Sequence, residues 1–288
     1  MRSFCTDHAI ACGEPLPGTA ALADRHLFMR WPKGRWRRPR FDATGLSEQL
    51  RAEMQAASGQ GRYVGLVDLA DGPELELLSF PDATSIVPRD QAHAAVLIAQ
   101  WRMGVALSDN RLQRRVILCC TDAKTDACCA RYGFPVFKAL AAAAPAFNLD
   151  VLQCTHIGGC HFAPSVIVMP DRQRYGRLTP AAVPEFLGMV ARNNIYLPAY
   201  KGNPELNELE QSAEAATRIW AEGRQTIEEI EIAEVDLLAD DIATIHVRLN
   251  GQTIAVNAQR QNFAVYGNCR NMDDEPPLKP RWMAWVAE

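Results

Sequence analysis

The hydrophobic pattern in the middle of the chain predicts alternating strands and helices. Short runs of branched and apolar residues indicate buried strands at "RRVILCC", "FNLDVLQC", "SVIVMP" and "YGRLT". Helix-forming stretches follow the first strand ("CCARYGFPVFKALAAAA") and the fourth ("TPAAVPEFLGMVAR"), with Thr179 as the N-cap of the second helix and Pro180 at its first position. The order β-α-β, β-hairpin, α is that of a thioredoxin-like domain.

The flanking regions have patterns of their own. Before the middle, strands are predicted at "HLFMRWP", "RYVGLVDL" and "ELELLSF", and a helix at "GLSEQLRAEMQAA". After it come a helix, "ELEQSAEAATRIWAEG", and four strands around "IEEIEIAEV", "ATIHVRLN", "TIAVNAQR" and "RWMAWVAE". We therefore predict an α/β protein in three parts: an N-terminal mixed α/β region over 1–110, a thioredoxin-like domain over 111–195, and a C-terminal helix plus β-rich extension over 196–288.

Composition narrows the class of protein. Hydrophobic residues make up 48% of the 288 residues, enough for a sizeable core, and the net charge is −4. No run of eighteen apolar residues occurs, so no membrane span is expected. The N-terminal stretch "MRSFCTDHAIACGEPLPG" lacks the apolar centre of a signal peptide, which predicts a soluble cytoplasmic protein.

Cysteine is the most informative residue type. There are nine cysteines, and six of them fall within 42 residues near the middle of the chain: Cys119, Cys120, Cys128, Cys129, Cys154 and Cys160. In a reducing compartment, clustered cysteines more often bind metals or take part in catalysis than form disulfides.

Four residues are candidate metal ligands because the predicted fold places them at neighbouring strand ends. Cys120 ends the first strand, Cys129 begins the following helix, and His156 and Cys160 lie in the loop after the second strand. In that loop Gly158 and Gly159 permit a tight turn and a close approach of the backbone to a bound group. The loops can therefore form one pocket.

The spacing, C-x8-C followed by H-x3-C, limits the choice of metal. Three thiolates and an imidazole suit zinc or an iron–sulfur cluster, whereas magnesium and calcium prefer oxygen. The gap of eight residues is long for a zinc knuckle and favours a larger inorganic core. Zinc and thiol redox chemistry remain alternatives. The dithiol alternative is weakened because the C-x-x-C motif of thioredoxins is missing.

The neighbouring cysteines and histidine have simpler interpretations. Side chains alternate along a strand, so only one of Cys119 and Cys120 faces the site, and the same doubt applies to Cys128 beside Cys129. Cys154 is interpreted as a packed residue at a strand end, with ligation as the alternative. Cys5, His8 and Cys12 are interpreted as incidental residues of a flexible N-terminus, with a second metal site as the alternative, and Cys269 is assigned no role.

Three stretches resemble the sucrase/ferredoxin-like family: "CTDAKTDACCARYG", "THIGGCHFAPSVIVMPDRQRYGRLT" and "GEPLPGTA". The resemblance implies a thioredoxin-like ferredoxin domain with a [2Fe–2S] cluster and a role in electron transport. By position it also implies Cys120, Cys129 and His156 as ligands, with Asp126 at an acidic loop position.

The fourth ligand position departs from the family pattern. Many members have histidine after the two glycines, whereas this chain has Cys160 followed by His161. We favour Cys160 because its spacing from His156 matches, which gives a site of three cysteines and one histidine. A register shift that makes His161 the ligand in place of Cys160 would restore a site of two cysteines and two histidines. If His161 is not a ligand, it either hydrogen-bonds near the cluster or is an exposed loop residue.

These features favour an electron carrier over a stand-alone enzyme. The expected partners are redox proteins, namely a reductase and an electron acceptor. The basic stretch "RWPKGRWRRPR" is interpreted as a solvated loop or as a docking surface for an acidic redox partner, and nucleic-acid binding is not expected of a chain with net negative charge. A zinc-stabilised binding module and a thiol-dependent oxidoreductase are the alternatives.

Overall fold

A computed structural model describes residues 3–68, 73–107 and 110–287. The three strands and the helix predicted for the N-terminal region are present, whereas the helices Cys5–Ala11 and Gln91–Arg102 and the strands Thr84–Ile86 and Asn110–Arg111 were not predicted. The predicted strand residue 69 and the terminal residue 288 lie outside the described residues. The elements are α1 (Cys5–Ala11), β1 (Arg25–Arg30), α2 (Glu48–Ala57), β2 (Arg62–Asp68), β3 (Leu77–Phe80), β4 (Thr84–Ile86), α3 (Gln91–Arg102) and β5 (Asn110–Arg111).

The central elements have the thioredoxin-like order that the sequence predicts. They are β6 (Val116–Cys120), a π-helical turn (Cys129–Gly133), α4 (Phe134–Ala143), β7 (Asp150–Cys154), β8 (Val166–Met169), β9 (Gln173–Tyr175) and α5 (Val183–Ala191). Their strands are arranged β9-β8-β6-β7. β7 is parallel to β6, whereas β8 is antiparallel to β6 and β9 is antiparallel to β8. This confirms the predicted thioredoxin-like fold.

Two local predictions in this region need correction. The fourth strand begins at Gln173, two residues before the predicted "YGRLT", because Arg172 adopts a positive φ of 62° and ends the hairpin turn there. The segment after α5 was predicted to be only a link. It contains β10 (Tyr200–Gly202), which pairs with β9 across a register shift. A strand of three residues that ends in glycine leaves little signal in the sequence.

The N-terminal and central strands form one ten-stranded sheet, in the order β10-β9-β8-β6-β7-β2-β1-β3-β4-β5. The join is an antiparallel contact between β2 and β7, in which Val67 pairs with Cys154 and Asp68 with Gln153. The sheet therefore crosses the predicted limit at 110/111, and the domain limits stay predictions. The join also brings the end of β2 beside the loop that follows β7.

The C-terminal part has the predicted helix and four strands. α6 (Glu208–Ala221) begins with a capping box formed by Asn207 and Glu210. It packs on an antiparallel sheet of β11 (Ile230–Ala239), β12 (Ile242–Leu249), β13 (Gln252–Ala264) and β14 (Leu278–Val286). Burial alternates along β12, so one face of this sheet is covered. No helix within the described ranges has the length and apolarity needed to span a bilayer.

Candidate metal centre

The four predicted ligands meet in one place, here called the ligand cluster: Cys120, Cys129, His156 and Cys160. The ligand atoms of Cys120, Cys129 and His156 lie within 4.8 Å of one another. The Sγ atom of Cys160 is 3.5 Å from Nδ1 of His156, and that of Cys129 is 3.9 Å from the same nitrogen. The three cysteines are buried and His156 is partly exposed.

The strand alternation predicted for the first cysteine pair is present. Cys119 lies in the core between the sheet and helices α4 and α5, among residues such as Val136 and Leu187. Cys120 points to the opposite face, where it joins the core that contains Cys129 and Cys160. Only the second cysteine of this pair can therefore reach the ligand cluster.

The π-helical turn brings Cys129 against the end of β6. A Cβ atom at Gly133 would lie 2.1 Å from the carbonyl oxygen of Cys120, so only glycine allows this approach. The Cys119 thiol also donates to the Gly133 carbonyl, at 3.6 Å. Gly133 therefore sets how closely the turn that carries Cys129 approaches Cys120.

The glycine pair turns the second loop as predicted. Gly158 and Gly159 have φ angles of 94° and 68°, in the left-handed region. The Ser165 hydroxyl donates to the carbonyl groups of both glycines, at 3.2 and 3.1 Å. The Tyr63 hydroxyl donates to the His156 carbonyl at 2.6 Å. The loop that carries His156 and Cys160 is thus held by Tyr63 on β2 and by Ser165 just before β8.

Asp122 joins the two loops and was missed by sequence reasoning. One carboxylate oxygen accepts from the backbone N–H groups of Lys124 and Thr125, at 3.1 and 3.2 Å. The other accepts from the Thr125 hydroxyl at 2.8 Å and from the His156 N–H at 3.2 Å. An aspartate two residues after a strand, followed by polar residues, is the local signal of such a turn, but the bond to His156 is not local.

The ligand cluster shares protons among its members. A hydrogen bond with Cys129 lowers the pKa of Cys120 to about 6, and the resulting bond to the Cys120 thiolate raises the pKa of Cys129. Burial opposes charge on His156, but hydrogen bonds with Cys120 and Cys160 raise its pKa to about 10. Because metal ligands must be deprotonated, a bound metal would displace these shared protons.

His161 points away from the ligand cluster. Its Nε2 atom is 3.4 Å from Oε1 of Glu14, and its Nδ1 atom is 3.3 Å from the Gly267 carbonyl oxygen. Burial lowers the pKa of His161 below its usual value. The loop therefore brings Cys160, and not His161, beside His156, while the identity of the fourth ligand stays a prediction.

The other candidate cysteines lie elsewhere. Cys154 is buried at the end of β7, outside the ligand cluster. Cys128 joins Cys5, Cys269 and a carboxylate in a second group, whereas the sequence suggests Cys12 and His8 as the alternative partners of Cys5 and no role for Cys269. Cys12 is not part of that group; its thiol donates to the Ala9 carbonyl at 3.4 Å. All nine cysteines lie in the described ranges, and each has a free thiol.

A pocket of about 270 Å³ opens beside the ligand cluster. His156 and Cys160 form part of its wall, together with three arginines: Arg38, Arg40 and Arg270. A larger cavity, of about 450 Å³, lies between α5 and α6 and has no cysteine in its wall. The chemistry of the cluster therefore reaches the surface at the smaller, arginine-lined pocket.

The basic stretch contributes both to the core and to this pocket. Trp31 and Trp36 are buried in the N-terminal core, so they cannot stack on a nucleic acid. The Lys33 ammonium donates to the Thr121 hydroxyl at 2.9 Å, just after the end of β6. Arg38 remains exposed at the pocket. The two tryptophans of this stretch therefore pack in the N-terminal core, whereas Arg38 and Arg40 line the pocket.

Two solved structures are similar to about a third of this chain. A thioredoxin-like [2Fe–2S] ferredoxin from Aquifex aeolicus has 17% identity and a TM-score of 0.28, over 31% of this chain and 91% of that chain. A cysteine-to-serine variant of that ferredoxin has 18% identity and a TM-score of 0.28, over 30% and 96%. The fold assignment rests on the strand order described above.

A family model gives a broader match. No curated protein is similar to this chain. The family model described as sucrase/ferredoxin-like matches residues 16–202, which is more than half of the chain and includes all four residues of the ligand cluster. The chain therefore belongs to the sucrase/ferredoxin-like family.

Proposed function

We propose that this protein is an electron carrier that holds a [2Fe–2S] cluster on Cys120, Cys129, His156 and Cys160. The observation that carries the proposal is the convergence of three thiols and one imidazole from two loops on one buried spot. This donor set fits an iron–sulfur cluster, since thiolates and, in Rieske centres, imidazoles are its protein ligands. When bound, such a cluster supplies one-electron redox chemistry.

The residues around the cluster have separate roles in this proposal. Burial of Cys120, Cys129 and Cys160 keeps water from the thiolates. The hydrogen bonds of Asp122 and Tyr63 hold the His156 backbone, so the imidazole keeps its position when the charge of the site changes. His156 is the partly exposed member of the ligand cluster, and it lines the arginine-lined pocket through which an electron could pass to a partner.

Spectroscopy tests the ligand set and separates the alternatives. We expect aerobically purified protein to be red-brown, with absorption that bleaches with dithionite and a paramagnetic signal after one-electron reduction. Cys160→Ser should alter or abolish this signal, whereas His161→Ala should leave it unchanged. The opposite result would make His161 the fourth ligand. A colourless protein with zinc on these residues would indicate a binding module, and a colourless, metal-free protein with reactive thiols would indicate a thiol oxidoreductase.

The proposed partners are a reductase and an electron acceptor that dock at the arginine-lined pocket with acidic surfaces. Charge complementarity of this kind speeds association and weakens with salt. We therefore expect Arg38→Glu to slow electron transfer to an acidic carrier about tenfold or more at low salt, because reversing a surface charge lowers the association rate. Arg192→Glu, which reverses an exposed charge at the end of α5, is the matched control. Equal rates for the two variants would rule out docking at this pocket.

We also infer a cytoplasmic location and a role as a carrier without a substrate reaction of its own. Nine free thiols are compatible with a reducing compartment, where disulfides are rare. Fractionation of cells that express the tagged protein tests the location.

A further inference from the structure

Three cysteines outside the ligand cluster form a second group, here called the tri-thiol site. Its members are Cys5 on α1, Cys128 in helical backbone directly before the π-helical turn, and Cys269 in the turn Cys269–Asn271 between β13 and β14. The Sγ atom of Cys128 is 3.4 Å from that of Cys5 and 3.2 Å from that of Cys269, and the third side of the triangle is 3.6 Å. Three distant segments thus place thiols in mutual contact.

A carboxylate completes the group. Asp126 is buried, and its ligand atom lies with the three sulfurs inside one set whose members are all within 4.8 Å of one another. Its Oδ1 atom accepts from the Cys128 N–H and its Oδ2 atom from the Cys269 N–H, both at 2.8 Å. The carboxylate is therefore fixed in place facing the sulfurs, and each oxygen keeps a lone pair for a further partner.

We propose that the tri-thiol site is a structural zinc site, with Cys5, Cys128 and Cys269 as thiolate ligands and Asp126 as the fourth ligand. Zinc in proteins is tetrahedral, with Zn–S bonds of about 2.3 Å, which places its sulfur ligands about 3.8 Å apart. The observed sulfur triangle reaches that size if each side lengthens by a few tenths of an ångström. As Zn²⁺ binds, the three thiols release their protons to solvent.

The donor set argues for zinc over other occupants. Calcium and magnesium bind through oxygen, and copper(I) takes thiolates and would leave the carboxylate without a role. A disulfide needs two sulfurs at about 2.05 Å and would leave the third cysteine out. The buried Asp126 carboxylate, held beside the sulfurs by two backbone N–H groups, would bind the dication directly.

The surroundings fit a structural ion rather than a catalytic one. Cys5 and Cys128 are buried and Cys269 is half-buried, which leaves one side for the metal to enter. Four protein ligands fill the tetrahedron and leave no open position for a substrate. The ion would link α1 and the turn Cys269–Asn271 to the helical turn that carries Cys129.

This fastening supports the ligand cluster from outside. Cys128 is adjacent to Cys129, so a metal on Cys128 fixes the backbone of its neighbour. On α1, the Thr6 hydroxyl donates to the Cys160 carbonyl at 2.9 Å. The tri-thiol site and the ligand cluster have no residue in common. The zinc content of the tri-thiol site can therefore be tested whether or not the ligand cluster holds iron.

Metal analysis of purified protein tests the proposal. We expect about one zinc per chain in the wild type, with an X-ray absorption shell of three sulfurs and one oxygen. Cys269→Ser should lower zinc content at least tenfold, and Cys269→His, which keeps a ligand, should retain most of it. Cys12→Ser is the matched control and should keep all of its zinc. Cys120→Ala should lose iron and keep zinc.

Four results would overturn the zinc site. The first is a wild-type protein that contains no zinc and whose three thiols react freely, and the second is a protein mass lower by two hydrogens, which shows a disulfide. The third is copper bound in place of zinc. The fourth is zinc that is lost in Cys120→Ala but kept in Cys269→Ser. If Cys269→Ser is insoluble, cobalt substitution of the wild type replaces the variant. Strong sulfur-to-cobalt charge-transfer bands with tetrahedral visible bands support the site, and their absence overturns it.

Discussion

The two thiol-rich regions differ in how the chain builds them. The ligand cluster takes all its members from residues 120–160, on two loops at the ends of adjacent strands. The tri-thiol site takes its members from both chain ends and the middle, with Cys5 and Cys269 264 positions apart. Cys128 and Cys129 are neighbours, yet each belongs to a different region. A vicinal cysteine pair can therefore serve two sites rather than form one.

Their chemistry differs as well. The ligand cluster contains an imidazole that reaches an arginine-lined pocket, which suits exchange of electrons with a partner. The tri-thiol site offers thiols and a carboxylate and no imidazole, which suits a permanently bound ion. The comparison predicts that disrupting the ligand cluster abolishes the proposed redox activity, whereas disrupting the tri-thiol site chiefly lowers the free energy of unfolding.

The adjacent cysteines give the largest expected difference. Cys129→Ala should lose the visible absorption completely and keep its zinc, because it removes a ligand of one site only. Cys128→Ala should lose its zinc and keep most of its iron. Iron and zinc contents with visible circular dichroism measure both. If both variants lose the same metal, the division of the pair between two sites is wrong.

Removal of zinc should have the next largest effect. Free zinc at about 1,000 times its dissociation constant stabilises a folded protein by about 4 kcal/mol. For a chain of this size, chelation should therefore lower Tm by about 8–16 °C. Hydrogen exchange should speed up in α1 and around Cys269, where the ion holds the chain ends. Unchanged exchange there after complete zinc removal would contradict a fastening role.

Glu14 also links the N-terminal and C-terminal parts of the chain, through an ion pair with Arg281 rather than through a metal. It is buried, and its Oε1 atom accepts from Arg281 on β14 at 2.9 and 2.8 Å. Burial opposes its charge, but His161 and Arg281 lower its pKa below the usual 4.5. Because the folded-state pKa is depressed, this stabilisation is present above about pH 4.5 and is lost as the pH falls through the lower folded-state value.

Glu14→Gln should therefore lower the free energy of unfolding by about 3 kcal/mol at pH 7, because it leaves Arg281 without its charged partner. The loss should shrink as the pH falls below 4.5. Urea unfolding between pH 3 and 7 measures both effects. Glu185→Gln, on the exposed side of α5, is the control. A loss that stays the same at every pH would show that packing, and not charge, explains the effect.

Gly133→Ala gives the smallest expected effect on stability. The added Cβ must push the end of β6 away, because it would otherwise lie 2.1 Å from the Cys120 carbonyl oxygen. Overpacking of this kind costs about 1–3 kcal/mol. Iron content should fall with it, since Cys120 and Cys129 move apart. Gly34→Ala, with open space around the added Cβ, is the control. Full iron content in Gly133→Ala would show that this contact does not set the cluster geometry.

The sequence predicts the thioredoxin-like order and the ligand cluster because both depend on local rules. Alternation along β6 separates Cys119 from Cys120, and the glycine pair marks the turn between His156 and Cys160. The same rules placed the fourth strand too late and missed β10, because a hairpin turn with a positive φ at Arg172 and a strand of three residues carry weak signals.

By itself, the sequence determined where the first two strands of the thioredoxin-like domain end, and so which side chains meet in the ligand cluster. Only the tertiary structure decided that Cys5 and Cys269 reach Cys128, that His161 turns toward Glu14, and that β2 pairs with β7. Strand alternation and turn chemistry act over a few residues and can be read from a pattern. Contacts between distant segments depend on how whole elements pack, which no local pattern records.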